Sequence, residues 1–453
     1  MRVAVVAVGD ELLSGDVTDT AVAWVGRLLA EHGIRPVCAL LCGDAQADIA
    51  TGLCAATAQA DAIVLTGGLG STSDDRTRDA LAGWAGVPLE RDNALVAELQ
   101  QWYAQRQGVV PPAALRQADV PRGAKVLPNP TGSAPGLCVR GPNPAASESA
   151  GAAAGVMVWA LPGVPSEMRA MFTGSVLPAL LERAGADEVV RTSGLRIALA
   201  GETAVAALLG PLEQSLPAGV SLSFLPECGE LRVRATARAP TSAAAQRAAD
   251  ATVDRVRRIL GGLVVGAGEE PLEVAVHRLL GAQGHTLAVA ESLTGGMLAE
   301  RLTAMPGSSA AFRGGIVAYA AEAKSALLGV DPALLTAHGA VHPEVALAMA
   351  RGARERLTAS HGLATTGVAG PDEQDGQAVG TVFIGVSGPT GERVVELALA
   401  GDRERVRRLS VVHALDALRR LLSGLVPFDP RAPERAAAVP RWATTVPTQE
   451  AVL

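Results

Sequence analysis

The chain opens on RVAVVAVG, an unbroken apolar run that predicts a parallel strand buried on both faces. TAVAWVGRLLAEHG follows with helical spacing and closes on Gly33. RPVCALLCGD reads as a second strand, ADIATGLCAATAQA as a helix and DAIVLTGG as a third strand. VMVWALPGVPSEMRAMF adds a later strand, a turn and a helix. Strands alternating with helices at this spacing predict a three-layer α/β/α domain with a mainly parallel sheet, which we place at 1–172. Inside it, RGPNPAASESAGAAAGV (140–156) is small, polar and low in complexity, and reads as a flexible surface insertion because a strand resumes after it.

The pattern changes over 187–265. Strand-like VVRTSGLRIALAGE, helical ETAVAALLGPLEQ, then VSLSFLP, ELRVRATARAP and the long helix SAAAQRAADATVDRVRRILG predict a small α+β domain. PLEVAVHRLLGAQG opens a third domain, 268–425, again α/β. TLAVAES, RGGIVAYA, GLATTGVAGP and GTVFIGVSGP are its strands and RERVRRLSVVHALDALRRLL its closing helix. After Val426 the chain is Pro-rich without apolar periodicity, so 429–453 reads as a disordered tail.

Composition narrows the classes. A length of 453 residues with 49% hydrophobic positions supplies two or three domain cores. A net charge of -7 argues against direct binding of nucleic acid, whose affinity rests on basic surfaces. The five scattered cysteines do not form a disulfide framework, and Cys38 and Cys42 lack a second Cys/His pair at zinc spacing. The N-terminal apolar run is broken by Gly9, Asp10 and Glu11, too early for a signal peptide, and no stretch of ~20 apolar residues predicts a membrane span. The expectation is a cytoplasmic protein.

Two segments of the first domain carry chemistry: GDELLSGDVTDT, Gly9 to Thr20, and TGGLGSTSDDRTRDALA, Thr66 to Ala82. Glycines after a buried strand let backbone N–H groups approach an anion, ahead of a helix whose N-terminal end favours it. Asp74 and Asp75 could offer oxygen ligands to a divalent cation; equally, Ser73, Asp74 and Asp75 could cap the helix that follows. Together with NPTGSAPG and LPGVPSEM, these segments resemble the N-terminal domain of the CinA family, which is similar to the molybdopterin-binding MoaB/MogA fold. The resemblance implies a nucleotide or pterin-like ligand and, as in some family members, a divalent-metal-dependent ADP-ribose pyrophosphatase. The positions it singles out are Glu11, Asp44, Gly67, Gly68, Gly70, Asp75 and Thr77, with Asp44 and Asp75 as ligands of a magnesium-type ion. Thr20 and Ser71 depart from the usual Asn and Pro.

In the third domain AESLTGG places a hydroxyl and two glycines between a strand and a helix. Read from the residues alone, Ser292 is either a nucleophile or a helix N-cap, and Lys324 either a buried base or a solvated cation. AESLTGG, the Tyr-x-x-x-x-Lys stretch YAAEAK, HGAVHPEVALAMARGAR and TTGVAGPDEQDGQAVGTVFIGV resemble, in order, the CinA C-terminal domain over about 271–422. That domain also occurs alone as the nicotinamide mononucleotide deamidase PncC. The resemblance implies catalysis by Ser292, Lys324 and Tyr319 with no cofactor. A carboxamide hydrolase needs a nucleophile, a base and an oxyanion site, and a desolvated lysine can serve as base to serine. Thr294, Gly295 and Gly296 are then expected to offer N–H groups to the oxyanion. Tyr319 is expected to face the same cavity, and Thr366, Gly367 and Gly370 to line a pocket for the ribose phosphate.

Leu293, Ala321 and His342 depart from the family's usual Cys, Asn and Ser. A lone loop histidine is more often a satisfied polar residue than a base, so His338 and His342 are not taken for a Ser-His pair. The middle domain resembles the family's small linking domain through LAGETAVAALLG and shows no catalytic constellation; its expected role is orientation and contact within a homodimer. The overall expectation is a nicotinamide mononucleotide deamidase with a second nucleotide site. The competing expectation is a non-enzymatic ligand-binding or scaffold protein of competence or DNA-damage response. An intact Ser292–Lys324 contact would favour the enzyme.

Overall fold

The computed structural model describes residues 1–34, 36–106, 108–142, 155–185 and 189–425. The tail expected over 429–453, and most of the insertion expected over 140–156, lie outside them. Two compact units are found: Met1–Arg191 with Arg238–Ala245, and Thr192–Ala237 with Gln246 onward.

The first unit contains β1 (Val3–Val8), α1 (Asp10–Ser14), α2 (Ala21–Glu31), β2 (Pro36–Cys42), α3 (Gln46–Thr57), β3 (Ala62–Thr66), α4 (Thr77–Ala85), β4 (Leu89–Arg91), α5 (Asn93–Ala104), β5 (Asp119–Pro121), β6 (Lys125–Leu127), β7 (Gly136–Gly141), β8 (Val156–Leu161), α6 (Pro165–Met171) and α7 (Leu177–Ala184). Its main sheet has the order β2-β1-β3-β8-β7-β6, parallel from β2 to β8 and antiparallel beyond. Side-chain alternation along β1 and β3 explains the three layers. Ala4, Val6, Ile63 and Leu65 pack with Ile49, Leu53, Leu81 and Leu95 on one face. Val3, Val5 and Val64 pack with Val25, Leu29, Met168 and Leu180 on the other. Burial on both faces is why these strands read as continuous apolar runs.

The second unit holds two sheets. The smaller, whose residues 189–191 and 238–245 group with the first unit, is built from β9 (Val189–Ala198), α8 (Glu202–Glu213), β10 (Val220–Glu227), β11 (Glu230–Ala239) and α9 (Ser242–Leu260), with strand order β10-β11-β9. One sheet face packs Ile197, Leu231 and Val233 against Val205, Leu209 and Val256. The larger part runs through α10 (Leu272–Ala282), β12 (Leu287–Glu291), α11 (Met297–Thr303), β13 (Phe312–Val317), α12 (Ala321–Leu328), α13 (Pro332–His338), α14 (Pro343–Arg356), β14 (His361–Gly367), β15 (Thr381–Gly388), β16 (Gly391–Ala398) and α15 (Arg403–Leu422). Strand order is β13-β12-β14-β15-β16, with β13, β12 and β14 parallel. Leu287 and Val289 pack toward α10, α11 and α15. Ala288 and Ala290 pack toward α12 and α14.

Each large sheet reverses its winding beside its first strand: β1 lies between β2 and β3, and β12 between β13 and β14. Ligands of open α/β sheets gather outside the carboxyl ends of the strands at such a point. Glu11 and Gly67 follow β1 and β3; Ser292 follows β12. No described helix is long and apolar enough to cross a membrane.

Candidate active site

Ser292 leaves the carboxyl end of β12 with its own N–H bonded to the Thr365 carbonyl at 3.0 Å. It keeps 9% exposure; Lys324, on α12, keeps none. Lys324 Nζ lies 2.9 Å from Ser292 Oγ, 2.7 Å from the Ala318 carbonyl oxygen and 3.4 Å from that of Tyr319. Carbonyl oxygens only accept. Protonated, the amine donates to all three oxygens; once deprotonated it keeps two N–H donors for the carbonyls and has a lone pair free for the serine hydroxyl. Burial pushes the Lys324 amine down from 10.5 to about 8, against an opposing pull from Asp375.

The capping question at Ser292 resolves through its neighbour. The Glu291 carboxylate accepts from the backbone N–H of Gly296 (2.9 Å), Leu298 (3.1 Å) and Ala299 (2.8 Å), so Glu291 holds the start of α11 and Ser292 Oγ faces lysine. Gly295 and Gly296 sit at φ of +58° and +98°, left-handed conformations that side chains disfavour. Their N–H groups do not serve as oxyanion donors, contrary to expectation: Gly295 N donates to the Ser292 carbonyl at 3.1 Å, and Gly296 N to Glu291. Leu293 is buried in the core. Thr294 is buried, its hydroxyl 2.8 Å from that of Thr365.

Tyr319 also departs from expectation. Its side chain is 60% exposed, and its hydroxyl accepts from Arg403 at 2.9 Å; only its carbonyl meets Lys324. Arg403 donates in addition to the Gly370 carbonyl at 2.6 Å, tying the two segments together. Thr366 is buried and donates to the Ala340 carbonyl at 2.7 Å, and a Cβ on Gly367 would stand 2.5 Å from the Thr381 carbonyl oxygen. These two residues build the wall of the sheet end; they do not present ligand groups. His342 Nδ1 accepts the Glu344 N–H at the start of α14, and His338 stacks on it at 4.3 Å. Arg403, Arg407 and Glu291 were not singled out by sequence.

In the first unit a cleft of about 420 Å³ opens at the carboxyl ends of β1, β2, β3 and β8. Glu11, Asp44, Gly67, Gly68, Gly70 and Asp75 line it, together with Asp74, Gln117 and Glu167. Thr77 does not: it is fully buried, donating to the Gly67 carbonyl at 2.8 Å. Gly67 and Gly68 have positive φ, and a Cβ on Gly67 would stand 2.4 Å from the Val8 carbonyl oxygen, so glycine is required there.

Asp75 is neither a helix cap nor a free ligand. Its carboxylate accepts from Gly70 N (2.7 Å), Thr72 N (2.8 Å) and Thr72 Oγ1 (2.5 Å), which holds the Gly-rich turn in shape. Arg78, buried beneath, donates to the carbonyls of Leu69 and Gly70, each at 2.6 Å. Asp44 and Asp10 exchange backbone and side-chain bonds at 2.9 and 3.1 Å. Burial raises the Asp44 pKa; the hydrogen bond from Asp10 opposes the rise, and the charges of Asp10, Glu11 and Asp74 add to it. Among the described residues no three His, Cys, Asp or Glu side chains converge as a protein-only metal cage requires. Glu11 and Asp44 both bring a carboxylate to the cleft, the donor type magnesium takes when phosphate and water complete its shell.

Family models match three stretches of the chain. Residues 4–182 match the probable molybdopterin binding domain, 192–266 the damage-inducible protein CinA KH domain and 269–422 the CinA C-terminal domain. A CinA-like protein of Frankia casuarinae is 47% identical over 432 residues, spanning 94% of this chain and 97% of that relative. A CinA-like protein of Salinibacter ruber is 38% identical over 93% of this chain and 100% of its own. The crystal structure of the protein CinA from Thermoplasma acidophilum is 29% identical, covering 40% of this chain and 97% of that one at a TM-score of 0.34.

Proposed function

The chain belongs to the CinA family, and on that premise we propose that its C-terminal domain is an amidohydrolase converting nicotinamide mononucleotide to nicotinate mononucleotide and ammonia. The observation that carries this reading is the surroundings of Lys324: two carbonyl acceptors and the Ser292 hydroxyl around one buried amine. Ser292 Oγ attacks the carboxamide carbon as Lys324 takes its proton. The same proton goes to the nitrogen as the tetrahedral adduct expels ammonia, leaving an ester on Ser292. Water, deprotonated by Lys324, then cleaves the ester and regenerates the hydroxyl. Arg403, exposed where the Tyr319 and Gly370 segments meet, is the cation best placed for the substrate phosphate. The test is ammonia release by the purified chain supplied with nicotinamide mononucleotide. No release would favour the reading of a ligand-binding or scaffold protein in DNA uptake or damage response.

The Gly67–Gly70 turn at the switch point of the first sheet favours a second, separate site for a nucleotide diphosphate of the ADP-ribose type. Where a divalent ion accompanies it, Glu11 and Asp44 are the residues that would hold it, and the ion would neutralise phosphate charge. Because the Asp75 carboxylate is engaged by the N–H groups of the turn, Asp75→Ala is expected to weaken ADP-ribose binding about tenfold or more, equally with and without magnesium. Glu11→Gln with Asp44→Asn should instead remove the magnesium dependence. Calorimetric titration separates them, and loss of the magnesium effect in Asp75→Ala alone would return Asp75 to the ligand set. The same samples, assayed for ADP-ribose cleavage, decide whether the site turns over.

A further inference from the structure

The loop that carries Ser292 is gripped from two sides. Glu291 takes the N–H groups of Gly296, Leu298 and Ala299. On the opposite charge, Arg407 of α15 donates through Nε to the Leu293 carbonyl at 2.9 Å and through its terminal nitrogen to the Thr294 carbonyl at 3.0 Å. The remaining N–H groups of the loop can be followed one by one. Ser292 N serves Thr365, Gly295 N serves Ser292, and Met297 N serves Thr294. Two are left without an acceptor among the described residues: those of Leu293 and Thr294, the first two after the hydroxyl.

A trans peptide points its C=O and N–H in opposite directions. By fixing the Leu293 carbonyl, Arg407 therefore fixes the Thr294 N–H on the far side of the same peptide plane. A guanidinium fork is suited to this because it spans two successive carbonyls at once, where an ammonium holds one. Its charge also polarises the peptide and makes the N–H a better donor. The arginine starts from a firm base: α15 is capped by Asp402 and buries much of its length. The same device recurs in the first unit, where Arg78 holds the carbonyls of Leu69 and Gly70 in the Gly-rich turn.

We infer that the backbone N–H groups of Leu293 and Thr294 form the oxyanion site and that Arg407 is the positioning residue that aims the second of them, the Thr294 N–H. This rests on the deamidase reading of the same site. The amide oxygen acquires negative charge only as Oγ adds to the carbon, so a misaimed donor slows the chemical step and leaves ground-state binding alone.

The full chain is assayed for deamidation as wild type, Arg407→Met and Arg407→Lys. Loss of one oxyanion donor outright typically costs about 100-fold or more in kcat, so a loosened one is expected to cost about 10- to 20-fold in Arg407→Met. KM should stay within about twofold and the pH profile of kcat/KM should keep its shape, because Lys324 is untouched. Arg407→Lys should recover part of the loss, and guanidinium ion in the buffer should restore the Met variant. An aldehyde analogue that adds to Ser292 should lose affinity by the same factor as kcat, while nicotinate mononucleotide keeps its own. A kcat within threefold of wild type in both variants overturns the inference. So does a loss spread over kcat, KM and product affinity together, which is what a merely structural role produces. A wild-type chain that releases no ammonia removes the deamidase reading and this inference with it; an active wild type beside active variants removes the inference alone.

Discussion

Ser292→Ala is expected to lower ammonia release from nicotinamide mononucleotide by a factor on the order of 10⁴, and Lys324→Met to do nearly as much. The serine hydroxyl supplies the bond to carbon and the lysine lone pair supplies the base, the two atoms lying 2.9 Å apart. Groups that act as one unit are non-additive, so the double variant should be little slower than either single one. Both variants should fold. Ser292→Ala gives up one hydrogen bond at a partly open position, and methionine fills the volume of a lysine stem that is wholly buried. Near-normal release from Ser292→Ala would remove it as the nucleophile. A double variant whose loss equals the product of the single losses would separate the two residues into independent roles.

The strands and their burial were legible because β1, β3 and β12 are covered on both faces and show it as unbroken apolar runs. The short β4 to β6 and the half-exposed β16 carry no such run and were not read. At the site, the Ser292 and Lys324 pair followed from the resemblance to the CinA C-terminal domain, since the residues alone left a helix cap and a solvated lysine open, and the side chains that shape it were not legible. Arg407 reaches the Ser292 loop from more than a hundred residues away and Arg403 reaches Tyr319 across 84, and in RERVRRLS they read as the solvated face of an amphipathic helix. One sign was available: spaced by four, they share a face at the start of α15. Glu291 also left a trace, as a carboxylate on the strand face that Leu287 and Val289 turn to the core, just ahead of a helix start. Asp75 shows the converse limit. A carboxylate that closes a turn and one that binds a cation have the same place in a sequence, and only the acceptor count distinguishes them.

The second large effect is on pH. If Lys324 must be neutral to accept the Ser292 proton, kcat/KM follows the unprotonated fraction of an amine that burial has lowered to about 8. Activity is then expected to climb about tenfold per pH unit well below that value and to level off above it, about thirtyfold in all between pH 6.5 and 9.5. Lys324→Arg, charged at every accessible pH, should be inactive throughout. Stability moves with the same proton. Between about 8 and 10.5 the unfolded chain holds a proton on Lys324 that the folded chain has released. Stability therefore rises with pH across that window, while below it both states are charged and the burden of a buried cation is constant. Urea midpoints of the wild type measured against Lys324→Met isolate this term from other titrating groups. The difference should shift in favour of the wild type as pH is raised from 7.5 to 10. A flat difference, together with a pH-independent kcat/KM, would mean that Lys324 stays charged in the fold and that the base lies elsewhere.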